Sequence, residues 1–221
     1  MKVDLHVHTT YSRDSLTTCE RLLYWARYRG LGAMAITDHN TIAAALALRD
    51  MAAFPIIVGE EICTTRGEII GLFLQQEIPA GRSPAETVRL IHQQGGLVYV
   101  PHPVDRVRRS ALGCGALLEI IDQVDLIEVL NARVTFTLDN LRAAELAHAY
   151  RLRCAAGSDA HQGFEIGQAY VEMPPFQDAV SFLESLTRGS VCGGISSPLV
   201  HVGSTYAKLA KVLMTTMAMS R

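Results

Sequence analysis

Eight histidines occur among the 221 residues, and five of them (His6, His8, His39, His102 and His161) fall at the ends of strand-like runs with carboxylates close by in sequence. His6 and His8 are two apart in Val3-Asp4-Leu5-His6-Val7-His8, whose alternation reads as a strand, so both imidazoles project from one face. Such side chains stand about 6–7 Å apart at the backbone and can converge on one metal ion with bonds near 2.1 Å. Asp14 follows in Ser12-Arg13-Asp14, and later runs end in Asp38-His39-Asn40, Glu60-Glu61, Pro101-His102-Pro103 and Asp159-Ala160-His161. Singly, each has an ordinary structural use: Asp38 could cap a helix, His102 finish a rigid turn, Glu60 and Glu61 end a solvated strand. Together, five imidazoles and several acids on one sheet edge would repel or desolvate one another without a countercharge, which divalent cations supply. Two such ions about 3.5–4 Å apart can share a hydroxide at a water pKa lowered towards ~7, the makings of a hydrolytic nucleophile.

The elements that must position these residues alternate between strand and helix. Short apolar runs at Ala33–Thr37, Pro55–Gly59, Leu97–Val100, Asp125–Leu130, Cys154–Ala156 and Gln168–Met173 read as strands. Helical patterns cover Thr17–Tyr28, Thr41–Ala53, a segment opened by Ser83-Pro84-Ala85-Glu86, Leu117–Ile121, Leu138–Tyr150, Asp178–Arg188 and Thr205–Met217. Glu68–Leu74 pairs with the preceding strand as a hairpin. Repeated βα units predict a mostly parallel sheet, open or closed, and the unusual residues fall at the strand ends where such folds build sites.

The ordered set H-x-H, S-x-D, T-D-H-N, G-x-E-I, P-H-P, E-x-x-N and S-D-A-H resembles the PHP (polymerase and histidinol phosphatase) superfamily over about residues 1–200, and is most similar to its small stand-alone phosphoesterases. The resemblance implies an α/β fold, a distorted (β/α)7 barrel, with a three-metal centre at the C-terminal rim of the strands. It implies that His6, His8, Glu61 and Asp159 hold one metal, that Glu61 bridges to a second bound by His102, and that Asp14, His39 and His161 hold the third. Some relatives carry a further histidine between the third and fourth motifs, and a His where this chain has Ile70, so the second metal is expected to be less saturated by protein. The mixed ligand set suits two or three divalent ions of Mn, Fe or Zn. Arg133, in an E-x-x-N-x-R stretch, and Arg109, in the basic loop after His102, are the expected phosphate clamps; Asn131 is expected to orient substrate or a ligand, and Asp38 to hold His39.

The expected reaction is hydrolysis of a phosphate ester: a small phosphorylated metabolite, a nucleotide or the end of a short nucleic acid. The alternatives are C–N hydrolysis of the barrel amidohydrolase type and a non-catalytic metal-bound scaffold. No lysine lies between Lys2 and Lys208, which removes the carboxylated-lysine form of the former. No nucleotide-binding glycine motif is present.

Composition sets the frame: 49% hydrophobic and 19% charged residues exclude a disordered chain, and 20 basic against 22 acidic residues exclude a nucleic-acid coating role. The length fits one domain over residues 1–221, with about residues 205–221 as a peripheral helix. Met1-Lys2-Val3-Asp4 does not read as a signal peptide, and no apolar run spans a bilayer, so a cytoplasmic protein without a membrane partner is expected. Five scattered cysteines without a C-x-x-C pair read as reduced packing thiols.

Overall fold

The computed structural model describes residues 1–219. In chain order the strands are β1 (Lys2–Asp4), β2 (Leu31–Ile36), β3 (Ile56–Thr64), β4 (Gly67–Leu72), β5 (Leu97–Val100), β6 (Leu126–Asn131), β7 (Arg153–Gly157), β8 (Ala169–Glu172) and β9 (Ser190–Gly193). The helices among the described residues are α1 (Cys19–Arg29), α2 (Ala43–Met51), α3 (Pro84–Gln93), α4 (Gly113–Ile120), α5 (Thr137–Tyr150), α6 (Ala179–Leu186) and α7 (Val200–Met219). Local chemistry starts and stops them. The Thr18 hydroxyl accepts from Arg21 N to open α1, which ends at Gly30 with φ 67°. Ser83 accepts from Glu86 N, with Pro84 in the first turn, to open α3.

All nine strands join one sheet in the order β7-β6-β5-β4-β3-β2-β1-β8-β9. Strands β1 to β3 and β5 to β7 pair in parallel, while β4 runs antiparallel between them and β8 and β9 run antiparallel beyond β1. The sheet curls until the chain beyond β1 meets the end of β7: Leu5 N donates to Ala156 O at 3.3 Å, His8 N donates to Ala160 O at 2.9 Å, and Val7 bridges Ala160 in parallel. The result is a nearly closed, distorted α/β barrel, as the family resemblance implies. Its distortions are what sequence periodicity does not carry: β4 and β8, which run against the other strands, an unforeseen β9, and a β1 that ends before His6.

Alternation divides the core in two. Ala33, Ala35, Ile57, Ile70, Leu72, Tyr99 and Leu126 pack together in the barrel interior. Met34, Ile36, Val58, Ile69, Val98 and Ile127 face outward and join the side chains of the surrounding helices. On β3 this parity sends Glu61 inward with Ile57, and Glu60 outward with Val58.

The C-terminal segment corrects one expectation. The helix begins at Val200, earlier than Thr205, and it is no peripheral appendage. Arg133 Nη2 donates to Ser204 Oγ at 2.5 Å, and Lys211 Nζ donates to the carbonyls of Thr10 and Ser12 at 2.5 Å each. Of the predicted segment, Ser220 and Arg221 lie outside the described residues. No helix among the described residues is long and apolar enough to cross a membrane.

Candidate metal centre

At the rim of the barrel the predicted ligands meet. The Nε2 atoms of His6 and His8 stand 3.1 Å apart. Glu61 lies beneath them, Oε1 at 3.5 Å from His6 Nε2 and 3.0 Å from His102 Nε2, Oε2 at 3.3 Å from His8 Nε2 and 3.1 Å from His39 Nδ1. Asp159 Oδ1 is 3.7 Å from His6 Nε2 and 3.5 Å from His8 Nε2. Asp14 reaches His161 Nε2 at 3.2 Å and His39 Nε2 at 3.6 Å. Donor atoms of His6, His8 and Glu61, of His6, His102 and Asp159, and of His8, His39 and His161 each fall within 4.8 Å of one another. Glu60, by contrast, turns away, and its Oε2 accepts from Ile78 N at 2.8 Å.

This donor set fits divalent cations. Asp14 Oδ1, His39 Nδ1, Glu61 Oε2, His102 Nδ1 and Asp159 Oδ1 are buried with no hydrogen-bond partner, a cost that proteins do not carry without cause. Two imidazole nitrogens facing each other at 3.1 Å cannot both donate and cannot both accept. Burial opposes a charged His6, yet the carboxylates of Asp159, Glu128 and Glu61 overcome it and hold the imidazole well above its usual range. Burial likewise opposes an ionised Glu61, and the charges of His6 and His39 overcome it and hold the carboxyl well below its usual range. His161 is pushed down to about 3 by burial and by the charge on His8. Metal ions bind such groups by displacing their protons.

Outer hydrogen bonds aim the rings. His6 Nδ1 sits 3.1 Å from Glu128 Oε1, His8 Nδ1 3.0 Å from Ser12 Oγ, and His161 Nδ1 2.8 Å from Asp159 O, so each Nε2 points into the cluster. Glu128, on β6, also accepts from Tyr99 OH at 2.7 Å, His102 N at 2.7 Å and Asn131 Nδ2 at 2.9 Å. Asn131 reaches Asp159 Oδ2 at 3.1 Å as well. Asp38 makes no direct bond to the His39 ring: it accepts from Ser12 Oγ at 2.5 Å and from Thr9 N at 2.7 Å, and Ser12 Oγ in turn meets His8 Nδ1 at 3.0 Å and accepts from His39 N at 3.1 Å, so Asp38 steadies both residues through Ser12.

Above the cluster a cleft of about 260 Å³ is walled by Arg13, Arg108, Arg133, His201, Ser204 and Lys208. Arg108 Nη2 lies 2.6 Å from Asp159 Oδ2, whereas Arg109 is exposed and does not line the cleft. The structure thus turns Arg108, one residue before the predicted Arg109, towards the cleft, because Asp105 Oδ1 accepts from Val107 N and Arg108 N. Arg133 lines the cleft and pairs with Glu165 at 2.8 Å.

Two donors escaped the sequence reading. Glu68 Oε2 is 3.8 Å from His102 Nε2, and Glu68, His102 and Glu61 form one cluster while Glu68, His39 and Cys63 form another. A search for acids at the C-terminal ends of strands misses Glu68, because β4 is antiparallel and brings its N-terminal end to the rim. Glu68 therefore puts a carboxylate beside His102, where relatives with more histidines led us to expect a gap. His102 and Asp159 both have positive φ, 29° and 52°, the backbone strain that functional sites tend to hold.

The fold and this rim of imidazoles and acids define a class, the α/β barrel proteins with a cluster of metal-ligating side chains at the rim. The PHP domain profile matches residues 4–100, and the profile described as PHP-associated matches residues 137–191. The protein MJ0417 of Methanocaldococcus jannaschii is 40% identical over 175 residues, 78% of this chain and 70% of that one. The chain belongs to the PHP family. The 5'-3' exoribonuclease Rnm of Salmonella typhimurium is 41% identical over 88 residues, 36% of this chain and only 30% of that protein. A two-domain protein of Bacteroides vulgatus, described as containing a predicted PHP-like metal-dependent phosphoesterase, shares the fold with a TM-score of 0.73 at 17% identity, over 94% of this chain and 69% of that one.

Proposed function

We propose that the chain is a metal-dependent phosphoesterase whose ligands are His6, His8, Asp14, His39, Glu61, His102, Asp159 and His161, with Glu68 added to the set. The observation that carries this reading is the convergence of unpartnered buried donor atoms directly beneath a cleft walled by cations. When bound, two or three ions of Mn, Fe or Zn supply Lewis acidity towards phosphoryl oxygens and a lowered pKa for water. The rest falls to the chain. Arg108, Arg13 and Lys208 draw a phosphate ester into the cleft, and Arg133, tied to Glu165 and Ser204, gives that wall a fixed guanidinium. Glu128 and Ser12 keep the Nε2 lone pairs of His6 and His8 directed at the site, and Asn131 restrains Asp159. The substrate is a small phosphorylated metabolite, a nucleotide or the end of an oligonucleotide; the partial likeness to an exoribonuclease supports the last of these.

The test is turnover of a generic phosphomonoester and a phosphodiester by protein stripped with chelator and then reloaded with Mn, Fe or Zn, alongside metal analysis. Hydrolysis that depends on reloading is expected. Full metal content with no turnover of either ester supports the scaffold reading instead, and turnover confined to amides supports the amidohydrolase reading.

A further inference from the structure

Helix α7 has two unlike faces. On one side Val200, Ser204 and Ala207 are buried, and the two lysines turn inward, Lys208 to Asp14 Oδ2 at 3.3 Å and Lys211 to the carbonyls of Thr10 and Ser12. On the other side Leu199, Val202, Tyr206, Leu209 and Leu213 follow at intervals of three, four, three and four, the spacing of a coiled-coil seam. Each of the five is 61–76% exposed.

We propose that this seam packs against the same seam of a second copy of the chain, α7 against α7, about a two-fold axis at Tyr206. Three observations select that occupant. With the equally exposed Val212 and Met214 beside it, the face offers on the order of 800 Å² of accessible surface, the amount each partner contributes to an interface of standard size. From Leu199 to Met214 the only Asp, Glu, Lys or Arg residues are Lys208 and Lys211, and both face the barrel. Like copies therefore meet without repulsion, whereas a charged partner finds nothing to pair with. A helix that lies on a lipid surface rims its apolar face with cations for the headgroups, and here the cations are turned the other way. Tyr206 is the middle residue of the seam, seven positions from Leu199 and from Leu213, so a two-fold axis there sets Leu199 against Leu213 and closes an isologous contact. The same helix presents His201, Ser204 and Lys208 to the cleft, so pairing would brace one wall of the site. The proposal does not depend on what reaction that site performs.

Sedimentation velocity of the whole chain across micromolar concentrations tests it. The expected mass is twice the 24.1 kDa of the chain, falling to that of the monomer in a Val202→Lys, Leu209→Lys double variant whose circular dichroism and metal content are unchanged. Tyr206→Cys, on a background with Cys114 and Cys154 replaced by Ser, is expected to form a disulfide-linked dimer on mild oxidation. A wild-type monomer throughout the range, a dimer that survives the double substitution, or absence of the Tyr206→Cys cross-link overturns the proposal. So does a monomer that cosediments with phosphatidylserine vesicles, which assigns the face to lipid.

Discussion

Arg108 Nη2 rests 2.6 Å from the outer oxygen of Asp159, leaving the inner oxygen to face His6 and His8. One guanidinium thereby holds a buried carboxylate in place, with Nε 3.8 Å from Asp105 Oδ2, while lining the cleft. Burial opposes ionisation of Asp159, and the charges of Arg108 and His6 hold its carboxyl well below the usual range despite that. Arg108→Ala is expected to lower kcat/KM for a phosphate ester by about 10²-fold, the scale for losing one well-placed donor. Arg109→Ala, on the exposed side of the same loop, is expected to stay within about twofold. Equal losses in steady-state assays of the two variants would return the clamp to the position that the sequence predicts.

Glu61 and Glu60 are adjacent in sequence and opposite in role. Glu61 touches four imidazoles, so Glu61→Ala is expected to release more than one ion per chain, read by elemental analysis after gel filtration. Glu60 is buried on the outer face, and burial pushes its carboxyl up to about 7. Glu60→Gln is expected to keep its metal and to lose about 1–2 kcal/mol in urea unfolding, because the bond from Ile78 N weakens. If Glu60→Gln loses ions while Glu61→Ala keeps them, the ligand assignment on β3 is off by one.

The choice of Glu61 was legible in the G-x-E-I stretch that resembles the PHP family, and strand alternation accounts for it. Ile57, Gly59 and Glu61 share a parity, and an apolar strand with one inward acid at its end marks a rim. The cap at Thr18 was not read, whereas the cap at Ser83 was readable because it is local. Glu68, Arg108 and α7 were not. The role of Glu68 depends on the direction of β4, that of Arg108 on a loop turned by Asp105, and that of α7 on contacts between residues almost 200 positions apart, such as Lys211 and Ser12. None of these has a periodic signature. Strand β9, four residues with no buried side chain, offers little for a pattern to detect.

Gly157 ends β7 where the backbone passes His6. A Cβ there would stand 2.2 Å from His6 Cβ and 2.7 Å from Glu128 Oε1, so Gly157→Ala must displace the ring or the carboxylate that aims it. The expected cost is about 3 kcal/mol or more in denaturant unfolding, together with loss of metal. Gly194→Ala, with nothing within 4 Å of its Cβ, is the matched control and is expected to change neither. A Gly157→Ala protein with native stability and full metal content would mean that His6 is not fixed by this contact.

Metal binding should register as folding stability, because the unpartnered donors are assembled only in the folded chain. An ion present at 100 times its dissociation constant adds about 2.7 kcal/mol. For a domain of this length that raises the melting temperature by about 5–10 °C. Calorimetry of chelator-treated protein, before and after addition of Mn or Zn, is expected to show at least that rise. Glu68→Ala removes the one carboxylate shared by the cluster with His102 and Glu61 and the cluster with His39 and Cys63, while His6, His8 and Asp159 stay in place. It is expected to shrink the rise without abolishing it. A full rise in Glu68→Ala would exclude Glu68 from the ligands. No rise in the wild type would leave five buried donor atoms without a reason to be there, and the phosphoesterase reading would fall with the metal.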